Sequence, residues 1–296
     1  MNYYNEIKDL LLNNEINKKV KNYSINKSDL DTYYNVGKIL SEAGKHYGEG
    51  IIKEYSVKLS FDLNKKYDTS SLNKMRKFYT LSTKMATLSP NLSYSHYVEL
   101  LPLGNINEIK YYIDLTKYNN LSVRELRSRI KSNEYERLDE STKEKLINKE
   151  DTKVLDLVPN PIVLKSNIDE EQVSEKILQK IIMEDISSFL KELGPGFTFI
   201  DNEYKIKIGD RYNYIDLLLY NIKFNCYVVV ELKVTELKKE HIGQIEVYMN
   251  YIDSNIKSIN QDKTIGLIIC KRTNKYIIEY SSDERVIARE YKKINL

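Results

Sequence analysis

The segment that most constrains the fold is the apolar run at residues 226–234, CYVVVELKV. A run this rich in valine predicts a β-strand buried on both faces, because a half-buried strand would alternate apolar and polar residues. Glu231 and Lys233 interrupt the run, and their spacing of two places both side chains on one side of the sheet. An unpaired charge is costly to bury, so both groups are expected to have partners or solvent.

The sequence around this strand predicts an α/β domain. A helix over residues 169–193 is expected to end at the Gly-Pro-Gly sequence of residues 194–196. Short polar connections then predict antiparallel hairpins, followed by a helix and two further strands. The predicted strands are 203–208, 213–220, 226–234, 264–270 and 276–280, and the predicted second helix is 236–253. The resulting order is α-β-β-β-α-β with one more strand at the end.

The residues before 195 show almost no period-two alternation and predict an all-α domain instead. Apolar residues recur there at helical spacing, and Ser122 with Glu125 has the pattern of a capping box. The helical segments are 30–40, 51–63, 72–79, 94–101, 107–115 and 122–130. The stretch after residue 150 contains two prolines and shows no clear hydrophobic periodicity. We therefore predict a helical domain at 1–150, a linker at 151–168 and an α/β domain at 169–296.

The strand before the apolar run carries a further charged residue, Asp216. The short hairpin loop would place Asp216 opposite Val230, one residue from Glu231, so that two carboxylates converge beside Lys233. Mg²⁺ prefers a few carboxylate oxygens and keeps several waters, so Asp216, Glu231 and the backbone carbonyl of Leu232 are predicted metal ligands. Lys233 would orient the attacking water or help to deprotonate it. The alternative is a surface salt bridge between Glu231 and Lys233, which the apolar strand disfavours.

The two predicted helices of the α/β domain supply further candidates. Glu175 projects into the middle of the apolar arc of the first helix and would reach the metal. Its alternative is a helix-end residue stabilised by solvent and by the helix dipole. Gln244 and Tyr248, four residues apart on the second helix, share a face and would contact phosphate or hold Lys233. Their alternative is a surface glutamine and a packed tyrosine.

Charge and composition favour a polyanionic partner. Residues 18–131 contain 20 Lys and Arg against 11 Asp and Glu, a net charge of +9. An AT-rich genome also enriches lysine, so charge alone favours nucleic acid only slightly. The sequence has no long apolar run and no signal-peptide pattern, and Cys226 and Cys270 lie in apolar segments as buried thiols. These features predict a cytoplasmic protein with no membrane contact and no disulfide.

Three segments resemble the YhcG-like bacterial PD-(D/E)xK nucleases: residues 214–220 (YIDLLLY), 226–233 (CYVVVELK) and 265–271 (IGLIICK). Residues 174–175 and 189–194 fit the helix that opens the nuclease domain of that family. Gln244 with Tyr248 resembles the Gln-x-x-x-Tyr motif of RecB-type members of the superfamily. The resemblance implies a restriction-endonuclease-like fold with a mixed sheet. It also implies DNA as the substrate and a divalent cation, Mg²⁺ or alternatively Mn²⁺, as the cofactor.

The resemblance extends to the helical half, where residues 72–79, 92–97 and 122–126 are similar to the N-terminal domain of the same family. The family usually carries tryptophan where Tyr94 stands, and this chain contains no tryptophan. The front domain would then bind DNA or assemble with protein. Its predicted phosphate contacts are Lys74, Arg76, Lys77, Arg124, Arg127 and Arg129. For any one of them, an ordinary solvated position is the alternative.

Together, these observations predict a two-domain α+β chain that hydrolyses DNA phosphodiester bonds with a metal-activated water. The predicted catalytic residues are Asp216, Glu231, Lys233, Gln244 and Tyr248. The resemblance is compatible with recombination, repair or defence against mobile DNA. A catalytically silent DNA-binding or complex-forming subunit is the alternative function, and RNA or branched DNA is an alternative substrate. No small-molecule cofactor is expected, and cutting of both strands would favour a homo-oligomer.

Overall fold

The computed structural model describes residues 3–19, 25–85, 88–89, 91–168, 173–279 and 283–294. The chain divides into two compact units, residues 1–131 and residues 132–296. In its described part, the first unit is helical and the second is built around a six-stranded sheet. Within the described ranges, no helix combines the length and the apolar character that a membrane span requires.

The first unit confirms the predicted all-α domain. Ser122 and Glu125 form the predicted capping box, in which the Glu125 carboxylate accepts from the Ser122 N–H at 2.9 Å and the Ser122 hydroxyl accepts from the Glu125 N–H at 3.3 Å. The helices are α1 (Tyr3–Lys19), α2 (Ile25–Tyr47), α3 (Gly50–Asp62), α4 (Thr69–Lys84), α5 (Tyr94–Leu100), α6 (Ile106–Asn119) and α7 (Val123–Lys131).

Helices α2 and α4 pack unusually closely because a glycine lies at their contact. A Cβ atom added to Gly37 of α2 would lie 2.2 Å from the carbonyl oxygen of Met75 in α4. The apolar side chains beside this contact, among them Val36, Leu40 and Leu72, are fully buried. The core of the helical unit therefore depends on backbone approach at Gly37 as well as on apolar burial.

The second unit has a mixed sheet with helices on both faces. The strand order is β1-β6-β5-β4-β3-β2, in which β2, β3 and β4 pair antiparallel and β4, β5, β6 and β1 pair parallel. The strands are β1 (Ile162–Lys165), β2 (Phe197–Ile208), β3 (Arg211–Asn221), β4 (Cys226–Glu236), β5 (Asp262–Arg272) and β6 (Val286–Ile294). The helices are α8 (Glu140–Asn148), α9 (Glu175–Glu184), α10 (Ile186–Leu193), α11 (Lys239–Asn255) and α12 (Lys275–Glu279), with a 3₁₀ turn at Val154–Leu157.

Strand β4 is covered on both faces, as its apolar sequence predicts. Val228, Val230 and Leu232 point into a core with α9 and α10. Val229, on the alternate face, packs into a second core with α11. A central strand of this kind leaves no solvated face for a charged residue, so the charges within β4 need specific partners.

The structure differs from the sequence prediction at the domain boundary. Residues 151–168, predicted as a linker, contain β1, which pairs parallel with β6. The boundary between the units lies at residues 131 and 132 instead of near residue 150. Arg137 contributes to this difference, because its guanidinium donates to the Pro161 carbonyl at 2.6 Å and forms an ion pair with Glu192. The polar segment after residue 131 is thus bound to the second unit.

Two predicted elements of the second unit also differ from the structure. The helix predicted over 169–193 is interrupted at Asp185, which caps α10 by accepting from the Ser188 N–H at 3.1 Å. Residues 169–172 lie outside the described residues. The strand predicted at 276–280 is wrong, because α12 occupies Lys275–Glu279, and residue 280 is outside the described range. The last strand is β6, which the sequence analysis missed.

We predict that Gly37→Ala destabilises the helical unit by about 1–3 kcal/mol, the usual cost of overpacking. Alanine has the higher helix propensity, but the added methyl group would collide with backbone atoms of α4, and backbone cannot move aside as a side-chain tip can. Thermal unfolding followed by circular dichroism measures the effect. The matched control is Gly50→Ala at the start of α3, where an added Cβ meets nothing within 4 Å. Equal melting temperatures for Gly37→Ala and wild type would contradict the prediction.

Candidate active site

The hairpin of β3 and β4 brings the predicted acidic residues together, with a register one residue away from the predicted one. Val230 pairs with Leu217, whereas the sequence analysis placed it opposite Asp216. Asp216 therefore lies immediately before the first residue of β3 that pairs with β4, and Glu231 lies immediately after the last residue of β4 that pairs with β3. This correction improves the convergence, because residues directly opposite each other on paired strands point to the same side.

Asp216 is fixed by two hydrogen bonds to neighbouring elements. Its carboxylate oxygen Oδ2 accepts from the backbone N–H of Leu232 at 2.7 Å. Its backbone carbonyl accepts from the side-chain amide of Gln179 in α9 at 3.0 Å. The side chain is half-buried between these contacts. Both the carboxylate and the main chain of Asp216 are thus held in place by residues that belong to different elements.

Glu231 and Lys233 are both buried, with exposures of 1% and 9%. The ammonium group of Lys233 lies 3.3 Å from Oε2 of Glu231 and 3.8 Å from Oε2 of Glu175. Glu175 is the first residue of α9, and about half of its side chain is exposed. The lysine therefore lies between a buried carboxylate on its own strand and a solvated carboxylate at the start of a helix.

The electrostatic environment shifts all three central groups. Burial, reinforced by the charge of Asp216, raises the pKa of Glu231 to about 8. Burial also raises the pKa of Asp216, while the hydrogen bond from Leu232 and the charge of Lys233 oppose that rise. For Lys233, burial favours a lower pKa, but the surrounding carboxylates outweigh it, and its pKa is raised. The lysine is therefore a cation, and the two carboxylates compete for one compensating charge.

The buried carboxylate of Glu231 fits a divalent cation. Its oxygen Oε1 is fully buried and has no hydrogen-bond partner among the described residues. An oxygen of this kind costs free energy unless a cation or a donor reaches it. Asp216, Glu231 and the backbone carbonyl of Leu232 are hard oxygen donors, and Mg²⁺ commonly uses only one or two carboxylates. The donor set therefore suits Mg²⁺ or Mn²⁺ better than a metal that prefers sulfur or nitrogen.

Glu175, the third predicted ligand, is placed differently. In the described part of the chain, no three His, Cys, Asp or Glu side chains are grouped in the manner of a metal site. The contact of Glu175 is instead with the ammonium group of Lys233. Glu175 is the first residue of α9, whereas the sequence analysis placed it about one turn inside a helix that begins near residue 169. Its role as a metal ligand stays a prediction.

Helix α11 contributes one predicted pair and one residue that the sequence analysis missed. The side-chain amide of Gln244 donates to the Tyr248 hydroxyl at 3.1 Å, so the two share a face as their spacing implies. Tyr248 is buried in the α11 core and Gln244 is half-buried. His241, one turn before Gln244, has its pKa lowered by burial and by the nearby charge of Lys233. Gln179 of α9 was missed too, and its spacing of four from Glu175 is only a weak signal in the sequence.

The six basic residues predicted to contact phosphate fall into two groups. Arg76 forms a bidentate ion pair with Glu49, Arg127 forms one with Glu99, and Arg129 is buried. Guanidinium groups that are already held by carboxylates are poor candidates for phosphate contact. Besides the ion-paired Arg127, the exposed members are Lys74, Lys77 and Arg124. For these three, phosphate contact stays a prediction.

Comparison with known proteins assigns both halves of the chain. The model of the YhcG PDDEXK nuclease domain matches residues 156–294, and the model of the DUF1016 N-terminal domain matches residues 8–137. The protein named "Putative nuclease YhcG" from Escherichia coli strain K12 is 25% identical over 316 aligned positions, which cover 91% of this chain and 84% of that protein.

Solved structures with partial likeness include a repair endonuclease from Pyrococcus abyssi, at 18% identity, 43% coverage of this chain and a TM-score of 0.29. Another is the EndoMS–dsDNA complex, at 19% identity, 44% coverage and a TM-score of 0.29. This chain spans about half the length of each of them, 50% and 47%.

The order of the two matched regions agrees with the two units of the structure. The mixed sheet with helices on both faces has the restriction-endonuclease-like fold, and the nuclease-domain match covers all six of its strands. The helical region that precedes it matches the DUF1016 N-terminal domain. The chain therefore belongs to the YhcG-like family of PD-(D/E)xK nucleases.

Proposed function

We propose that the second unit hydrolyses phosphodiester bonds of DNA with a divalent cation, Mg²⁺ or Mn²⁺, held by Asp216 and Glu231. The observation that carries the proposal is the fully buried Oε1 oxygen of Glu231, which has no partner among the described residues and lies on the same strand pair as Asp216. A salt bridge with Lys233 engages only the other carboxylate oxygen, Oε2. A second positive charge at Oε1 would complete the site.

Each residue has a definite part in this reaction. Asp216, Glu231 and the carbonyl of Leu232 would hold the cation, which polarises the phosphate and lowers the pKa of a bound water. Lys233, which is cationic and anchored between Glu231 and Glu175, would orient the water and the phosphate. In this reaction the water would lose a proton to solvent as its oxygen bonds to phosphorus, the bond from phosphorus to the leaving oxygen would break, and the leaving oxygen would take up a proton.

Other residues would act by position. Gln179 holds the main chain of Asp216, and Glu175 holds the ammonium group of Lys233. Helix α9 thus positions both Asp216 and Lys233. Gln244 and Tyr248 would contact the phosphate backbone from α11, where they are hydrogen-bonded to each other. DNA as the substrate is supported by the net charge of +9 over residues 18–131, on which Lys74, Lys77 and Arg124 are exposed. Recombination, repair and defence against mobile DNA all require such a reaction.

The cleavage prediction concerns Asp216→Asn. Removing a metal carboxylate should slow Mg²⁺-dependent nicking of supercoiled plasmid by at least about 100-fold, since several kcal/mol of transition-state stabilisation depend on the cation. DNA binding measured by gel shift should persist, and EDTA should abolish cleavage by the wild type. Asp262→Asn, at an exposed position on β5 next to the hairpin loop, is the matched control. Equal nicking by Asp216→Asn and wild type would refute the assignment and favour the silent-subunit alternative.

The pH prediction follows from the pKa of Glu231, about 8. Because this pKa lies above that of an unfolded glutamate, the protonated side chain stabilises the fold at low pH, and that stabilisation is lost as pH rises through 8. In EDTA, the melting temperature should therefore fall between about pH 5 and pH 8. Because a cation competes with the proton for Glu231, Mg²⁺ should restore stability most at the upper end of this range. The affinity of the site for Mg²⁺ should weaken about tenfold for each pH unit below 8.

Glu231→Gln provides the control for the pH prediction. The amide has the same shape and does not titrate, so both the fall of melting temperature and its recovery with Mg²⁺ should be much reduced. Thermal melts at a series of pH values, with Mg²⁺ or with EDTA, measure both effects. A pH profile for the variant that coincides with the wild-type profile would contradict the assignment of the raised pKa to Glu231.

A further inference from the structure

The end of the β2–β3 hairpin carries a row of basic and aromatic side chains on one face. Lys205 pairs across the strands with Tyr214, and Lys207 pairs with Tyr212. Directly paired residues point to the same side of a sheet, as do residues two apart on one strand. These four side chains, which we call the hairpin face, therefore form one surface.

The other side of the same hairpin is buried. Ile206 and Ile215, which alternate with the members of the hairpin face, are almost completely buried in the core with α11. On the hairpin face, Tyr212 is 56% exposed and Tyr214 is 52% exposed. Both lysines are exposed as well. Packing therefore accounts for one side of the hairpin and leaves two large aromatic rings in solvent on the other.

The lysines are arranged around an aromatic ring. The ammonium group of Lys205 lies 3.8 Å from the ring centroid of Tyr212, and that of Lys207 lies 6.0 Å from it. Such contacts hold the cations beside the ring without neutralising them, since the ring carries no net charge. The acidic groups near this surface are Asp210 in the turn and, at the opposite end, Glu203 on β2 and Asp216 on β3. Between them, the hairpin face presents two positive charges and two rings.

The hairpin face leads to the candidate active site. Tyr214 precedes Asp216 by two residues on β3, a distance of about 7 Å along a strand. β2 is an edge strand, so its outer edge is not covered by another strand of the sheet. A polymer bound along the hairpin face would therefore lie about two residues along β3 from Asp216, next to the candidate active site.

We propose that the hairpin face binds an unpaired stretch of the nucleic acid next to the bond that is cleaved. Tyr212 and Tyr214 would stack on bases, and Lys205 and Lys207 would neutralise the adjacent phosphates. Aromatic groups that lie directly beside basic ones suit a single strand, whose bases expose their faces. A duplex hides those faces and offers mainly its phosphates to a protein surface. The inference rests on the proposed nuclease function and specifies its substrate class, a nucleic acid with a single-stranded region at the cut.

The decisive experiment measures binding without cleavage. Fluorescence polarisation in EDTA compares a fluorescein-labelled single-stranded oligonucleotide of mixed sequence with its blunt duplex. The double variant Tyr212→Ala and Tyr214→Ala should bind the single strand about tenfold or more weakly than the wild type, the usual effect of losing a stacked aromatic residue. Its affinity for the duplex should change by less than about twofold, because duplex bases are already stacked on each other.

Two controls separate stacking from folding and from charge. The double variant Tyr212→Phe and Tyr214→Phe keeps both rings and should keep single-strand affinity, whereas Tyr276→Ala changes a 66%-exposed tyrosine on α12 and should have no effect. Replacing Lys205 and Lys207 by Gln should weaken binding to both ligands. It should also make the single-strand salt dependence shallower by about 0.7 for each phosphate that a lysine no longer neutralises.

Two results would overturn the proposal: unchanged single-strand binding by the double Ala variant, or an equal loss on single strand and duplex. The second result would assign the hairpin face to duplex or nonspecific contact. Because these measurements are made in EDTA, they do not depend on metal-dependent hydrolysis. Failure of the Asp216→Asn cleavage test would refute the nuclease proposal and leave the binding result standing, and the reverse also holds.

Discussion

The hydrogen bond from the Leu232 N–H to the Asp216 carboxylate is the interaction on which the site depends. It lies where the ladder between β3 and β4 ends, so a side chain takes up a backbone donor that would otherwise be buried without a partner. The same contact holds Asp216 beside Glu231, because Leu232 is the next residue on β4. Structure and chemistry are therefore coupled, since removing the carboxylate also removes an acceptor from the sheet.

Helix α9 reinforces this arrangement from a different direction. Gln179 binds the main chain of Asp216, and Glu175, one turn earlier, binds Lys233. One helix thus contacts two of the three charged groups through residues on the same face. Apolar packing of Leu178 and Ile182 against the sheet fixes the helix that carries them. The apolar core that makes the burial of Asp216 and Lys233 costly therefore also fixes the helix that positions them.

The sequence was informative where a residue violated the pattern of its own element. Glu231 and Lys233 could be predicted because charges inside a valine-rich strand have few harmless explanations. Gln179 could not, since a glutamine on an amphipathic helix violates nothing. The hairpin register was wrong by one residue, because register depends on how the loop at residues 222–225 closes, and alternation cannot fix that in a strand that is apolar on both faces. The fold class and the chemistry of the site could thus be predicted from the sequence, but the register of β3 and β4 could not.

Long-range contacts explain the elements that were missed. β1 has four residues near two prolines, and it is a strand only because β6, far along the chain, pairs with it. β6 itself contains Arg289, which is buried and donates to the Val158 carbonyl at 2.9 Å and to Asp139 at 2.8 Å. A buried arginine with these partners has no local signature, so the strand appeared polar. The segment 276–280 had the stronger apolar pattern and was chosen wrongly.

The path of β3 links the active site to the rest of the hairpin. Ile215 and Leu218 both lie in the α11 core, whereas Leu217 lies in the α9 core, so the regular alternation of faces is broken near Asp216. Opposite this point, between the partners of Leu217 and Ile215, Glu203 has a positive φ of 51°, a left-handed conformation that marks a local irregularity in β2. Such an irregularity bends a strand pair and redirects its side chains. Asp216 and the exposed rings of Tyr212 and Tyr214 thus belong to one strand, β3, whose alternation of faces is interrupted at Asp216.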